Sequence, residues 1–78
     1  MQPKDVEARI EAEIEGAEAT VRRARGEHDD DHLAATVVAA AFDGKSLVEQ
    51  HEMVYDALGD AMTTSIHALE LTTRTPER

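Results

Sequence analysis

Residues 46–49, Ser-Leu-Val-Glu, are the tightest local constraint in this 78-residue chain. A serine before an apolar run, with a glutamate three positions on, is a capping box. The serine hydroxyl serves a backbone N–H inside the helix, and the glutamate carboxylate serves the N–H of the serine. The helix that starts there carries Leu47, His51, Val54, Leu58 and Met62 at helical spacing, and Val48 and Tyr55 widen the same stripe. Gly59-Asp60 bends or stops it. Thr63, Thr64 and Ser65 favour the entry to a strand. The hydrophobic period then falls to two over residues 66–73, with Leu69 and Leu71 on one face and Glu70 and Thr72 on the other.

Upstream, Pro3 suits the first position of a helix. Val6, Ile10 and Ile14 follow at i, i+4 and i+8, a single apolar stripe on an acidic helix that Gly16 ends. The acids along this helix read as a solvated face. Residues 17–24 alternate as a strand does, with Ala19, Val21 and Arg23 against Thr20 and Arg22. Residues 25–31 form a polar connection in which Gly26 suits a turn. Residues 32–42 are apolar on both alternating faces, which fits a buried strand or a helix. With a strand at residues 32–42 the order is α-β-β-α-α-β. It predicts a single α+β domain over residues 1–78, two-layered, with helices on one face of a three-stranded mixed sheet. The first two strands can form an antiparallel hairpin. The third arrives after a helical crossover and can lie parallel to a neighbour. A chain this short buries roughly 60% of its unfolded surface, so its core is thin.

Acids outnumber bases 17 to 8, for a net charge of −9, and the only lysines are Lys4 and Lys45. Such a surface repels itself, a cost that salt screens, and is expected of a halophile's protein. There is no cysteine, hence no disulfide and no thiolate ligand. No apolar run approaches the roughly 20 residues that cross a bilayer. The first residues are charged, unlike a secretory signal, so a cytoplasmic protein without membrane contact is expected.

Four segments in fixed order carry a family resemblance: Phe42-x-Gly44-Lys45-Ser46-Leu47-Val48-Glu49-x-His51, then Met53-Val54-Tyr55-x-Ala57-Leu58-Gly59-Asp60, then Ile66-His67-Ala68-Leu69, then Arg74-Thr75-Pro76-Glu77. From about residue 32 to residue 77 the chain closely resembles the BolA family. The resemblance implies a strand over residues 32–42 and a BolA-like domain, similar to the type II KH fold. The Gly-x-x-Gly loop with which KH domains hold nucleic acid is absent here.

The resemblance also implies a function: an adaptor in iron–sulfur cluster assembly or trafficking. It would share a 2Fe-2S cluster with a monothiol glutaredoxin, whose cysteine and bound glutathione supply the thiolates. His67 stands at the family's ligand position. The second ligand comes from the loop between the first two strands, where this chain has His28 in mid-loop and His32 at the loop's end. His28 is the first choice, because a mid-loop side chain can reach a partner. Two imidazoles on one iron and thiolates on the other is a known and stable division of ligands. A protonated imidazole cannot ligate, so cluster binding is expected to weaken on acidification.

His51, on the apolar stripe, reads as a core histidine with a hydrogen-bond partner. A DNA-binding regulator using a helix-turn-helix over residues 46–65 is the alternative function. Charge opposes it, because phosphate recognition needs cations and the second helix has none; the main basic cluster is Arg22, Arg23 and Arg25. A metal-free interaction module, with a homodimer as one form, is the third. No phosphate-binding glycine loop, nucleophile–base signature or calcium-loop pattern is present, so an enzyme is not expected.

Overall fold

In the computed structural model, which describes residues 2–29, 32–64, 66 and 68–76, the expected element order is found. Helix α1 (Pro3–Glu13) is followed by strands β1 (Glu18–Arg23) and β2 (His32–Val38), helices α2 (Leu47–Leu58) and α3 (Ala61–Thr64), and strand β3 (Ala68–Arg74). The sheet order is β1-β2-β3. β1 and β2 pair antiparallel, from Glu18↔Val38 to Arg23↔Leu33. β2 and β3 pair parallel, from His32↔Ala68 to Val38↔Arg74.

Odd-numbered residues of the strands face the helices. Val21, Leu33, Ala35 and Val37 are buried there with Val6 and Ile10 of α1 and Val54 and Leu58 of α2. The apolar stripe of α1 does what its spacing predicts, and Ile14 continues it just past the helix end. Two of the acids on that helix are not merely solvated. Glu7 Oε2 accepts a hydrogen bond from the Val21 N–H at 2.8 Å, and Glu11 Oε2 accepts one from the Ala19 N–H at 3.0 Å. These are the outward N–H groups of the edge strand β1, since Ala24 and the other even positions bond inward to β2. Four helical residues rise about 6 Å and two strand residues about 6.7 Å, so an i, i+4 pair of carboxylates matches an i, i+2 pair of amides. The carboxylates thereby occupy an edge that would otherwise invite another strand.

The apolar run over residues 32–42 is neither one strand nor one helix. β2 stops at Val38, and residues Ala40–Phe42 form a single 3₁₀ turn. Alanine has little preference for a strand, and the turn places Phe42 in the core with no exposed surface.

The capping box forms: the Ser46 hydroxyl accepts from the Glu49 N–H at 3.1 Å, and the Glu49 carboxylate accepts from the Ser46 N–H at 2.8 Å. The bond from the Ser46 N–H holds the Glu49 carboxyl below the usual glutamate range. A depressed acid contributes stability above its ordinary range and loses it as pH falls through its folded value. Glu49 is exposed, so that contribution is screened.

The stripe expected on α2 needs correction. The helix buries Val54, Ala57 and Leu58, whereas Leu47 is 61% exposed, Val48 68% and Tyr55 39%. Two causes are visible. At about 100° per residue, Val48 and Tyr55 fall to one flank of the line through Val54 and Leu58. Gln50 already sits against Thr73, whose hydroxyl donates to Gln50 Oε1 at 2.6 Å. Leu47 and Val48 therefore lie a turn further along, past the end of β3. Gly59, with φ of 55°, ends the helix in a backbone conformation that other residues rarely adopt.

Leu58→Ala should cost roughly 2–5 kcal/mol, enough to unfold much of so small a domain, whereas Leu47→Ala should change stability by less than about 0.5 kcal/mol. Urea unfolding of the two variants in parallel checks both values.

Candidate functional site

The loop between β1 and β2 is shaped by backbone before any side chain is considered. Gly26 has φ of 127°, and its carbonyl accepts from the Asp29 N–H at 3.2 Å, which turns the chain. His28 is on this turn and exposed to solvent. Asp29 then ties the loop to the strand. Its Oδ1 accepts from the His32 N–H at 3.2 Å, and its Oδ2 lies 3.0 Å from His32 Nδ1. His32, half-buried, is the first residue of β2. The carboxylate on Nδ1 favours the tautomer with its proton there, which leaves Nε2 the basic ring nitrogen.

The parallel register places this loop beside the start of β3. His32 is the Cα partner of Ala68, so the loop and the first residues of β3 share one end of the sheet. Of the residues singled out from the sequence, His28 and His32 are both found at that end. His67, the residue before Ala68 in the chain, lies outside the described residues. Among the described residues, no three His, Asp or Glu side chains come together in a way that could hold a metal ion.

His51 is half-buried on α2, as expected, but its expected hydrogen-bond partner is not found: Nε2 is buried and has none among the described residues. Its ring meets that of Tyr55 edge to face, with centroids 6.4 Å apart and planes at 75°. The helical pair offers little to a phosphate backbone. Residues 46–64 contain no lysine or arginine and four acids, Glu49, Glu52, Asp56 and Asp60. Among the described residues no helix is long and apolar enough to cross a membrane.

Two features were not foreseen from the sequence. One is the clamp of Asp29 on His32, for which the Asp-x-x-His spacing is the only sequence signal. The other is the exposed apolar surface of α2 formed by Leu47, Val48 and Tyr55, which periodicity alone assigned to the core.

Comparison with known proteins agrees with this architecture. The family model described as BolA-like protein matches residues 6–78. The chain belongs to the BolA-like family. It is 36% identical over 73 residues to SufE-like protein 1 of Arabidopsis thaliana, described as chloroplastic/mitochondrial, covering 86% of this chain and 20% of that protein. It is 31% identical over 80 residues to BolA-like protein 1 of Mus musculus, covering 91% and 58%. This chain thus spans only part of the curated relatives it matches. Among solved structures, a BolA protein homologue from Coxiella burnetii superposes with a TM-score of 0.81 at 32% identity, covering 97% of this chain and 92% of that one. The BolA domain of SufE1 from Arabidopsis thaliana gives 0.80 at 32% identity, covering 95% and 91%.

Asp29→Ala should lower stability by about 1 kcal/mol, since it removes the acceptor for the His32 N–H. Amide hydrogen exchange should quicken at His32 more than at Val37. Unchanged exchange at His32 would show that the clamp does not hold the loop.

Proposed function

We propose that this chain is an adaptor in iron–sulfur cluster assembly or trafficking that shares a 2Fe-2S cluster with a monothiol glutaredoxin. The observation that carries the proposal is the juxtaposition of the β1–β2 loop, with His28 and His32, and the start of β3. A ligand from each segment would reach one metal site at this end of the sheet. The donor set suits a shared cluster rather than a resident one. The chain has no cysteine, so thiolates must come from a partner's cysteine and its glutathione. The name of the SufE-like relative, a protein with a BolA domain, points the same way.

In this scheme His67 supplies one imidazole and His28 or His32 the other. His28 is the more accessible. His32 has the supporting bond that metal-ligating histidines commonly show, a carboxylate on the ring nitrogen away from the metal. Asp29 holds that ring in place.

A metal-free interaction module is a second function with its own support. Leu47, Val48 and Tyr55 expose apolar surface on α2, and a partner could cover it without any cluster. DNA binding finds no such support, because the helices that would enter a groove carry no lysine or arginine.

The test mixes the protein with a monothiol glutaredoxin, glutathione, iron and sulfide, and records visible absorption and circular dichroism. A spectrum distinct from that of the glutaredoxin homodimer is expected. It should be lost with His67→Ala, altered by one of His28→Ala and His32→Ala, and weakened on acidification as the ligating imidazoles protonate. An unchanged spectrum with no complex on sizing would overturn the cluster-sharing function. A complex that forms without the cluster, and is lost with Tyr55→Ala, would favour the metal-free module.

A further inference from the structure

The helices cover one face of the sheet, and the other face has an ordered pattern. Even-numbered strand residues point to it, and the two registers arrange them in rows across all three strands. Glu18, Val38 and Arg74 form one row; Thr20, Thr36 and Thr72 the next; Arg22, Ala34 and Glu70 the third; half-buried His32 and exposed Ala68 lie beyond it, at the end that carries the candidate site. The four corner residues, Glu18, Arg22, Glu70 and Arg74, are all exposed. Between them lie only threonines, a valine and an alanine.

The charges of this face sum to zero, two arginines against two glutamates, on a chain whose net charge is −9. Their placement is self-complementary. With a twofold axis along β2, a second copy laid face to face sets Glu18 against the other Arg74 and Arg22 against the other Glu70. With the axis along the threonine row, Glu18 meets the other Arg22, and Glu70 the other Arg74. Either arrangement opposes unlike charges at every corner and threonines at the centre. Sheets pack this way, about 10 Å apart with strands nearly aligned.

We propose that the open sheet face is a homodimer interface, occupied by a second copy of this chain in one of these two alignments. A partner with a basic or an acidic surface would meet repulsion at two corners; a second copy meets none. Three strands about 4.8 Å apart and six or seven residues long offer a flat footprint on the order of 300 Å² per copy. That lies below the range of stable specific interfaces, so the dimer is weak and transient. The remaining surface of each copy is acidic, and salt screens its self-repulsion and the corner pairs alike, so the pairing is read at moderate salt.

Sedimentation velocity of the full chain, at about 0.15 M salt and over concentrations reaching the millimolar range, tests this. Wild type should pass from monomer to dimer. Arg22→Glu and, separately, Glu70→Arg should each weaken association at least about tenfold, with unchanged melting temperature, since both sites are exposed. Combining Arg22→Glu with Glu70→Arg restores the dimer only if the axis runs along β2. Combining Arg22→Glu with Glu18→Arg restores it only if the axis runs along the threonine row. Recovery in at least one double variant is the expected result, and recovery in only one identifies the alignment the rest of the face permits. A wild type that stays monomeric throughout, an Arg22→Glu variant that still dimerises, or recovery in neither double variant would overturn the proposal.

Discussion

The strand β2 bonds both of its neighbours, antiparallel to β1 on one side and parallel to β3 on the other. The rest of the domain is arranged around that double obligation. An antiparallel neighbour needs only a short loop, and residues 24–31 supply it. A parallel neighbour requires a crossover, because the chain must return to the end from which β2 started. Helices α2 and α3 make that return, and their burial against the sheet builds the core. Because parallel strands start at the same end, the loop before β2 and the first residues of β3 become neighbours. The candidate site follows from the pairing rule rather than from any local motif.

The two sheet edges are treated differently. At β1 the outward amides of Ala19 and Val21 bond to carboxylates of α1, so a helix rich in acids also seals an edge. At β3 the side chain of Gln50 meets Thr73 near the strand end. A thin core gains from such contacts, since a domain of this size has little buried apolar surface to spare.

Local signals were legible in the sequence and surface geometry was not. The capping box at Ser46 and Glu49 involves neighbours in the chain, so its residue types suffice to locate the helix start. The 3.6-residue stripe of Val6, Ile10 and Ile14 and the alternation of Leu69 and Leu71 likewise state which side is buried. The exposure of Leu47 could not be read, because it depends on where β3 ends in space. Val48 and Tyr55 are apolar at near-helical spacing yet sit on the flank, and spacing alone does not separate flank from centre. The bonds from Glu7 and Glu11 join residues 14 and 8 positions apart, which no pattern along the chain reports. Of the site, the types and loop positions of His28 and His32 were legible, and the placement of that loop beside β3 followed from the expected parallel pairing. The Asp29 clamp was visible only in the structure.

In the proposed function the partner engages the end of the sheet where β2 and β3 begin. Amide chemical shifts of labelled protein, measured as unlabelled apo glutaredoxin is added, address it directly. The expected shifts cluster at residues 26–33 and at the first residues of β3, and leave the Gly44–Ser46 turn at the opposite end unmoved. Shifts confined to that turn and the first turn of α2, or to the open face around Thr36, would contradict the claim.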